Sequence, residues 1–280
     1  MSEIRRQKAN AFREMHHSGK ILVLPNVWDV ASARVIEEAG FSAIATTSAG
    51  VAFSLGYPDG QKISRQEMLA RVSRIAHAVA VPVTADVEAG YGDRPEDAAE
   101  TALGVIEASA VGMNLEDSTD DPQHPLVDLT LQLEKIHAIR EAALQSSVLL
   151  VLNARTDVYL AQVGAPELRY AETIRRTLAY RDAGADCVFV PGLRDPQIIG
   201  ELVKNVQCPV NILAGPGSPS LPELQNCGVA RVSLGSGPMR ATLGLLQRIA
   251  DELKATGTYA ALEGAPSHGD VNRMMGKSSV

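Results

Sequence analysis

Eight short runs of apolar and β-branched residues recur along this chain, most of them separated by stretches with helical periodicity, and few architectures accept that alternation. The runs are Ile21 to Asn26, Ala43 to Thr47, Val83 to Asp86, Gly112 to Glu116, Val148 to Asn153, Cys187 to Val190, Val210 to Leu213 and Ala230 to Leu234. Helical patterns cover residues 4–18, about 29–39, 64–79, 95–109, 129–144, 168–183 and 239–255. Strands two, four, six and eight each follow a helix-ending glycine, at Gly40, Gly112, Gly184 and Gly228, whereas strands three and seven open on Pro82 and Pro209. A repeat that alternates every second unit predicts an α/β fold in which odd and even strands fill alternate layers, a (β/α)₈ TIM barrel. A doubly wound sheet is the competing architecture, and no glycine-rich dinucleotide fingerprint follows the first strand to favour it. The barrel is expected over residues 1–256, with a helix before its first strand. Residues 257–280, broken by glycine, serine and proline, read as a disordered tail or as an arm on a neighbouring subunit, with one helical piece at Tyr259 to Glu263.

Composition narrows the function. With 280 residues and 45% of them hydrophobic, the chain can bury one large core. A net charge of -7 with scattered Lys and Arg argues against nucleic acid. No apolar stretch has the length of a membrane span, and the N-terminus lacks the apolar core of a signal peptide, so a cytoplasmic protein is expected. Cys187, Cys208 and Cys227 are odd in number and lack metal-ligand spacing. They read as reduced packing residues at the end of the barrel away from its chemistry.

In such a barrel the loops after the strands build the site. Strand three delivers Asp86 and Glu88 in Thr84-Ala85-Asp86-Val87-Glu88-Ala89-Gly90-Tyr91-Gly92. Period-two alternation puts the two acids on one face, where carboxylates about 4 Å apart repel by roughly 4 kcal/mol at an effective dielectric near 20. A hard cation with oxygen ligands, Mg²⁺ or Mn²⁺, offsets that repulsion; a solvated acidic loop is the plainer alternative. The other strand ends bring Asn26 and Asp29, Ser48-Ala49-Gly50 and Asp59, Glu116 and Asp117, Asn153, Arg155 and Asp157, Pro191-Gly192, Asn211 and Gly215, and Gly235-Ser236-Gly237. Singly, these are helix caps, tight turns or an ion pair. Together, several acids with one guanidinium describe a pocket for a cation and an anionic ligand.

Asp86-Val87-Glu88-Ala89-Gly90-Tyr91-Gly92 resembles the D-x-D-x-G-[YF]-G motif of the isocitrate lyase and phosphoenolpyruvate mutase superfamily. Leu115-Glu116-Asp117, Leu55-Gly56-Tyr57-Pro58-Asp59 and Asn153-Ala154-Arg155-Thr156-Asp157 resemble its I-E-D, L-G-x-P-D and A-R-T-D, in the family's order, and the likeness runs from about residue 10 to 250. The resemblance implies that Asp86 binds Mg²⁺ directly and that Asp59, Glu88 and Glu116 hold it mainly through water. It further implies that Arg155 and the backbone at Ser48, Ala49 and Gly50 grip the anionic end of a substrate, a set to which Asn153 and Asn211 are added. A homo-oligomer is implied as well, a dimer or a tetramer in which the eighth helix is swapped between barrels. Glu88 departs from the family's usual aspartate by one methylene.

The segment after strand four, Asp117 to Leu126, has neither the cysteine of the lyases' K-[KR]-C-G-H segment nor the lysine and asparagine of the phosphonate mutases' loop. His124 is its one group suited to proton transfer near neutrality, with a solvated loop histidine as the plainer reading. Tyr57 and Ser236 are weaker candidates. The expectation is a Mg²⁺-dependent lyase or decarboxylase that cleaves a C–C bond of a small 2-oxo or 2-hydroxy dicarboxylate through an enolate. The alternatives are a P–C bond enzyme of the phosphoenolpyruvate mutase kind and a non-catalytic 2-oxo-acid binder.

Overall fold

The computed structural model describes residues 3–119 and 121–276. In chain order the elements are α1 (Glu3–Met15), β1 (Leu22–Leu24), β2 (Asn26–Val27), α2 (Val30–Glu38), β3 (Ile44–Thr46), α3 (Ser48–Ser54), α4 (Arg65–Ala78), β4 (Val83–Ala85), α5 (Pro95–Glu107), β5 (Gly112–Glu116), α6 (Leu129–Gln145), β6 (Val151–Arg155), α7 (Arg169–Asp182), β7 (Cys187–Phe189), α8 (Pro196–Val206), β8 (Val210–Leu213), α9 (Leu221–Asn226), β9 (Arg231–Ser233), α10 (Gly237–Ala255) and α11 (His268–Met275). Every strand pairing is parallel, and the order β1-β9-β8-β7-β6-β5-β4-β3-β2 carries the sheet around a barrel.

Nine strands stand where eight were expected because Pro25, with no N–H to give, divides the first into two. Its halves pair with opposite neighbours, β1 with β9 and β2 with β3, so this broken strand closes the ring. The fifth expected strand starts later than its apolar run: Val148 to Leu150 lead in, and β6 extends through Arg155. Ser48 to Gly50, read as a turn, open a helix capped by the Thr47 side chain. Asp29 is likewise a cap, bonded to the Ser32 amide at the start of α2. Helices α8 and α9 add two elements that the periodicity did not single out.

Helix α1 closes the amino-terminal end of the barrel with the fully buried Phe12. A Cβ on Gly112 would lie 2.8 Å from Phe12 and from the Thr84 hydroxyl, so this glycine makes room for the plug. It does not end the preceding helix; Ser109, at φ 68°, takes the left-handed position there, while Gly40, Gly184 and Gly228 fill it in their own turns. Cys187 is buried, Cys208 and Cys227 are half-buried, and all three are free thiols. The chemistry-free end also holds a cavity of about 460 Å³ lined by His16, Lys20, Gln207 and Gln225, none of them a candidate site residue.

Residues 257–276 are an ordered arm. A 3₁₀ turn at Ala260–Leu262 takes the place of the expected helical piece, and α11 follows it. Helix α11 packs on α2, where the buried Arg34 donates from Nη1 to the carbonyls of Met274 (2.9 Å) and Met275 (2.7 Å) at the helix's carboxyl end. Helix α10 is unlike the others: of its 19 residues only Met239 is buried, and Leu243, Leu246 and Leu253 are exposed. Among the described residues, no helix is long and apolar enough to cross a membrane.

Candidate metal and substrate site

The carboxyl ends of the strands gather the candidate acids. Asp86 follows β4 directly and is held at both oxygens. Its Oδ2 accepts from the Ser48 backbone N–H (3.0 Å) and hydroxyl (2.9 Å), and its Oδ1 accepts from Asn114 Nδ2 (3.3 Å). Its own N–H donates to Thr46 Oγ1 at 2.8 Å. The backbone amide of Ser48, expected to meet a substrate anion, instead bonds the Asp86 carboxylate, as does the Ser48 hydroxyl. Gly50 N–H donates to the Thr47 cap, and Ala49 lies between them in the first turn of α3.

Glu88 reaches the cluster by another route than strand alternation. Strand β4 ends at Ala85, and the chain turns through a left-handed Glu88 at φ 54°. Its Oε2 accepts from the Gln61 backbone N–H (2.5 Å) and its Oε1 from the Tyr91 hydroxyl (3.3 Å). Burial, then the negative charges of Asp86, Glu116 and Asp59, raise its pKa to about 8. Asp59, in the loop after α3, is raised by burial and next by Asp86.

Glu116 and Arg155 end the paired strands β5 and β6 and stand opposite one another in register. Arg155 Nη1 meets Glu116 Oε2 at 2.6 Å, while its Nε and Nη2 grip Asp157 two-pronged at 2.6 and 2.7 Å. The Phe189 ring lies 5.8 Å beneath the guanidinium. Burial lifts the Glu116 carboxyl despite the pull of Arg155, and Ser118 donates to it at 2.5 Å. Burial opposes the Arg155 charge, yet Glu116 and Asp157 outweigh it and hold the guanidinium protonated.

Asp117 turns away from this pocket. It accepts from Tyr180 (2.6 Å), Arg176 (3.0 Å) and the backbone N–H of Asp157 (2.9 Å), and so positions the residue that grips Arg155. Asn153 and Asn211 are fully buried in the barrel: Asn153 donates to Asn114 Oδ1 (2.7 Å), and Asn211 bonds Ser233. Tyr57 is exposed. His124 has a side chain 81% exposed, and its Nδ1 bonds Asp121 at 2.9 Å within its own loop. Asp120 of that loop lies outside the described residues.

Asn114, Gln61 and Arg231 are members of this arrangement that the sequence left unassigned, while Asp157 makes the ion pair with Arg155 that stands as the plainer reading of the two. Asn114 stands two residues before Glu116 on a strand, and that spacing alone puts both on one face. Arg231, fully buried on β9 with Nη2 at 3.5 Å from Asn114 Oδ1, was visible as a charged residue inside an apolar run.

Asp59, Asp86, Glu88 and Glu116 thus share one rim, and the Asp86 charge acts on each of the other three. Among the described residues, no three His, Cys, Asp or Glu side chains stand close enough together to ligate an ion directly. A donor set of separated carboxylates suits a hard cation that keeps several waters, with one protein oxygen in direct contact.

The phosphoenolpyruvate phosphomutase family model matches residues 12–254. A crystal structure of a Burkholderia cenocepacia protein described as a lyase/mutase superposes with a TM-score of 0.93 at 38% identity, covering 99% of each chain. The 2-methylisocitrate lyase of Bacillus subtilis is 30% identical over 72% of this chain and 65% of its own length. Oxaloacetate decarboxylase 2 of Pseudomonas fluorescens is 28% identical over 75% of this chain and 70% of its own.

Proposed function

The chain belongs to the phosphoenolpyruvate phosphomutase family, within the isocitrate lyase and phosphoenolpyruvate mutase superfamily, and from that premise we propose that it is a divalent-cation-dependent lyase or decarboxylase. Its substrate is a small 2-oxo or 2-hydroxy dicarboxylate. The observation that carries the reading is the convergence of Asp59, Asp86, Glu88 and Glu116 around a buried arginine. Asp86 raises the proton affinity of Asp59, Glu88 and Glu116; Arg155 pairs with Glu116 of the four, and a doubly charged ion would supply the remaining counter-charge. The donors are all oxygen, which suits Mg²⁺ or Mn²⁺ and disfavours softer metals. Asp86 would hold the ion directly, with Asp59, Glu88 and Glu116 acting through its waters.

When bound, the cation supplies a Lewis acid that polarises a 2-oxo carbonyl and favours the enolate left when the neighbouring bond breaks. The chain's own groups do the rest. Ser48 and Asn114 fix both oxygens of Asp86, so the carboxylate faces the pocket in one orientation. Arg155, aimed by Asp157, binds a carboxylate of the substrate in place of Glu116. Phe189 closes the face beneath it and keeps water from that side. The 2-methylisocitrate lyase and oxaloacetate decarboxylase relatives support cleavage beside a carboxylate-bearing carbon. The exposed leucines of α10 are read as the contact with a second copy, giving a dimer or tetramer.

The test is turnover of oxaloacetate and of substituted malates with and without a chelator. Loss of product on chelation and its return with Mg²⁺ are expected; activity indifferent to chelation rejects the proposal. One observation favours a second reading: His124, the histidine of the loop after β5, bonds Asp121 at the surface. A 2-oxo-acid binder without a proton donor would show calorimetric binding of oxo acids and no product after long incubation.

A further inference from the structure

The loop that delivers Glu88 is held in a costly shape. Glu88, Gly90, Tyr91 and Gly92 all have positive φ, at 54°, 93°, 58° and 159°. For the two that carry side chains, such a conformation persists only where the surroundings over-determine it. Three groups do so. The Thr101 hydroxyl donates to the Gly90 carbonyl at 2.7 Å, and Tyr91 N–H donates to Gln61 Oε1 at 2.6 Å. The third is Lys135, whose Nζ donates to the carbonyls of Ala89 (3.3 Å) and Gly92 (2.8 Å).

Lys135 comes from the second turn of α6 and is only 1% exposed. Lysine is among the residues least often buried completely, so its place here calls for a reason beyond filling space. An ammonium has three donors and can draw two carbonyls toward one point, with bonds about twice as strong as those of a neutral donor. The two carbonyls it gathers bracket Gly90 and Tyr91, the centre of the bend.

We propose that Lys135 is a positioning residue for the candidate metal site: by clamping the Ala89 and Gly92 carbonyls it holds the strained loop that presents Glu88 beside Asp86. The inference rests on the divalent-cation reading above. It also ties that loop to α6.

The experiment compares wild type with Lys135→Met and Lys135→Gln. Two quantities are measured on the full chain: Mn²⁺ affinity, from free-ion electron paramagnetic resonance, and hydrogen exchange of the Val87 to Gly92 amides. Lys135→Met is expected to weaken Mn²⁺ binding about tenfold, the usual loss when an outer partner of a ligand is removed, and to speed exchange in the loop. Lys135→Gln keeps a neutral donor and should recover part of both. Folded Lys135→Met protein with unchanged affinity and unchanged loop exchange overturns the clamp, as does a lowered melting temperature with neither quantity altered. Should Lys135→Met not fold, the same criteria apply to Lys135→Gln. Wild type without Mn²⁺ affinity but with faster loop exchange in the variant would sink the metal reading and leave the clamp standing.

Discussion

Ser48 donates twice to one oxygen of Asp86, through its backbone N–H at 3.0 Å and its hydroxyl at 2.9 Å. The carboxylate at the end of β4 is thereby locked to the first turn of α3, with its second oxygen held by Asn114. Asp86→Ala should abolish Mn²⁺ binding and lower turnover about a hundredfold or more, while the circular dichroism spectrum stays that of the wild type. Ser48→Ala removes one of the two donors and should cost about tenfold in Mn²⁺ affinity. Equal metal affinity in Asp86→Ala and wild type, by calorimetric titration, would place the ion elsewhere or nowhere.

Arg155 is gripped at Nε and Nη2 by Asp157, a geometry that lysine cannot copy. Arg155→Lys should therefore raise KM for a dicarboxylate by at least about tenfold, through loss of a charge-assisted two-point contact. Steady-state kinetics on whichever of oxaloacetate and the substituted malates is turned over provide the check, and an unchanged KM would remove Arg155 from the binding role.

Asp117 and Arg176 form a buried pair behind that site, with Tyr180 as a third member. Asp117→Ala leaves the arginine charge without its buried partner, which typically costs about 3–5 kcal/mol. Arg176 keeps Glu172 at 2.7 Å, so the lower end of that range is expected from urea unfolding. A loss under 1 kcal/mol would show the pair to be energetically neutral.

Glu88 sets a pH dependence in the metal-free protein. Its folded pKa, about 8, lies above the unfolded value of 4.5, so the folded state binds the extra proton between these limits. Stability then falls as pH rises from about 4.5 to 8, because unfolding releases that proton. Bound Mg²⁺ should oppose the trend, since the cation favours the ionised carboxyl. Melting temperatures across pH 5 to 8, with chelator and with Mg²⁺, should diverge as pH rises; parallel curves would contradict the ion, and a chelator curve that does not fall would contradict the shift.

Helix α10 exposes Leu243, Leu246 and Leu253, with Leu246 at 61%. Leu246→Glu combined with Leu253→Glu should lower the mass in sedimentation equilibrium to that of one chain if these side chains meet a second copy. An unchanged mass would assign the oligomer contact to another face.

Period and punctuation carried much of the architecture. Strand-helix alternation and the glycine and proline spacing were sufficient for a parallel barrel, because a buried parallel strand must be apolar along its length and a crossover must be helical. The motif acids were equally legible, since barrel loops collect chemistry at one rim whatever the substrate. What the chain order did not reveal was who faces whom. Pro25 splitting the first strand, Ser48 bonding Asp86 instead of an incoming anion, and Asp117 pointing outward to Tyr180 and Arg176 all depend on partners 38 to 63 residues away, or on a neighbour across the closed ring. Glu88 shows the difference most plainly: alternation foresaw its presence beside Asp86, but only the left-handed turn clamped by residues of α5 and α6 brings it there. Local sequence determines periodicity and turn chemistry, which act within a few residues; the orientation of a buried polar side chain is decided by which distant donor can reach it, and that is a property of the closed barrel.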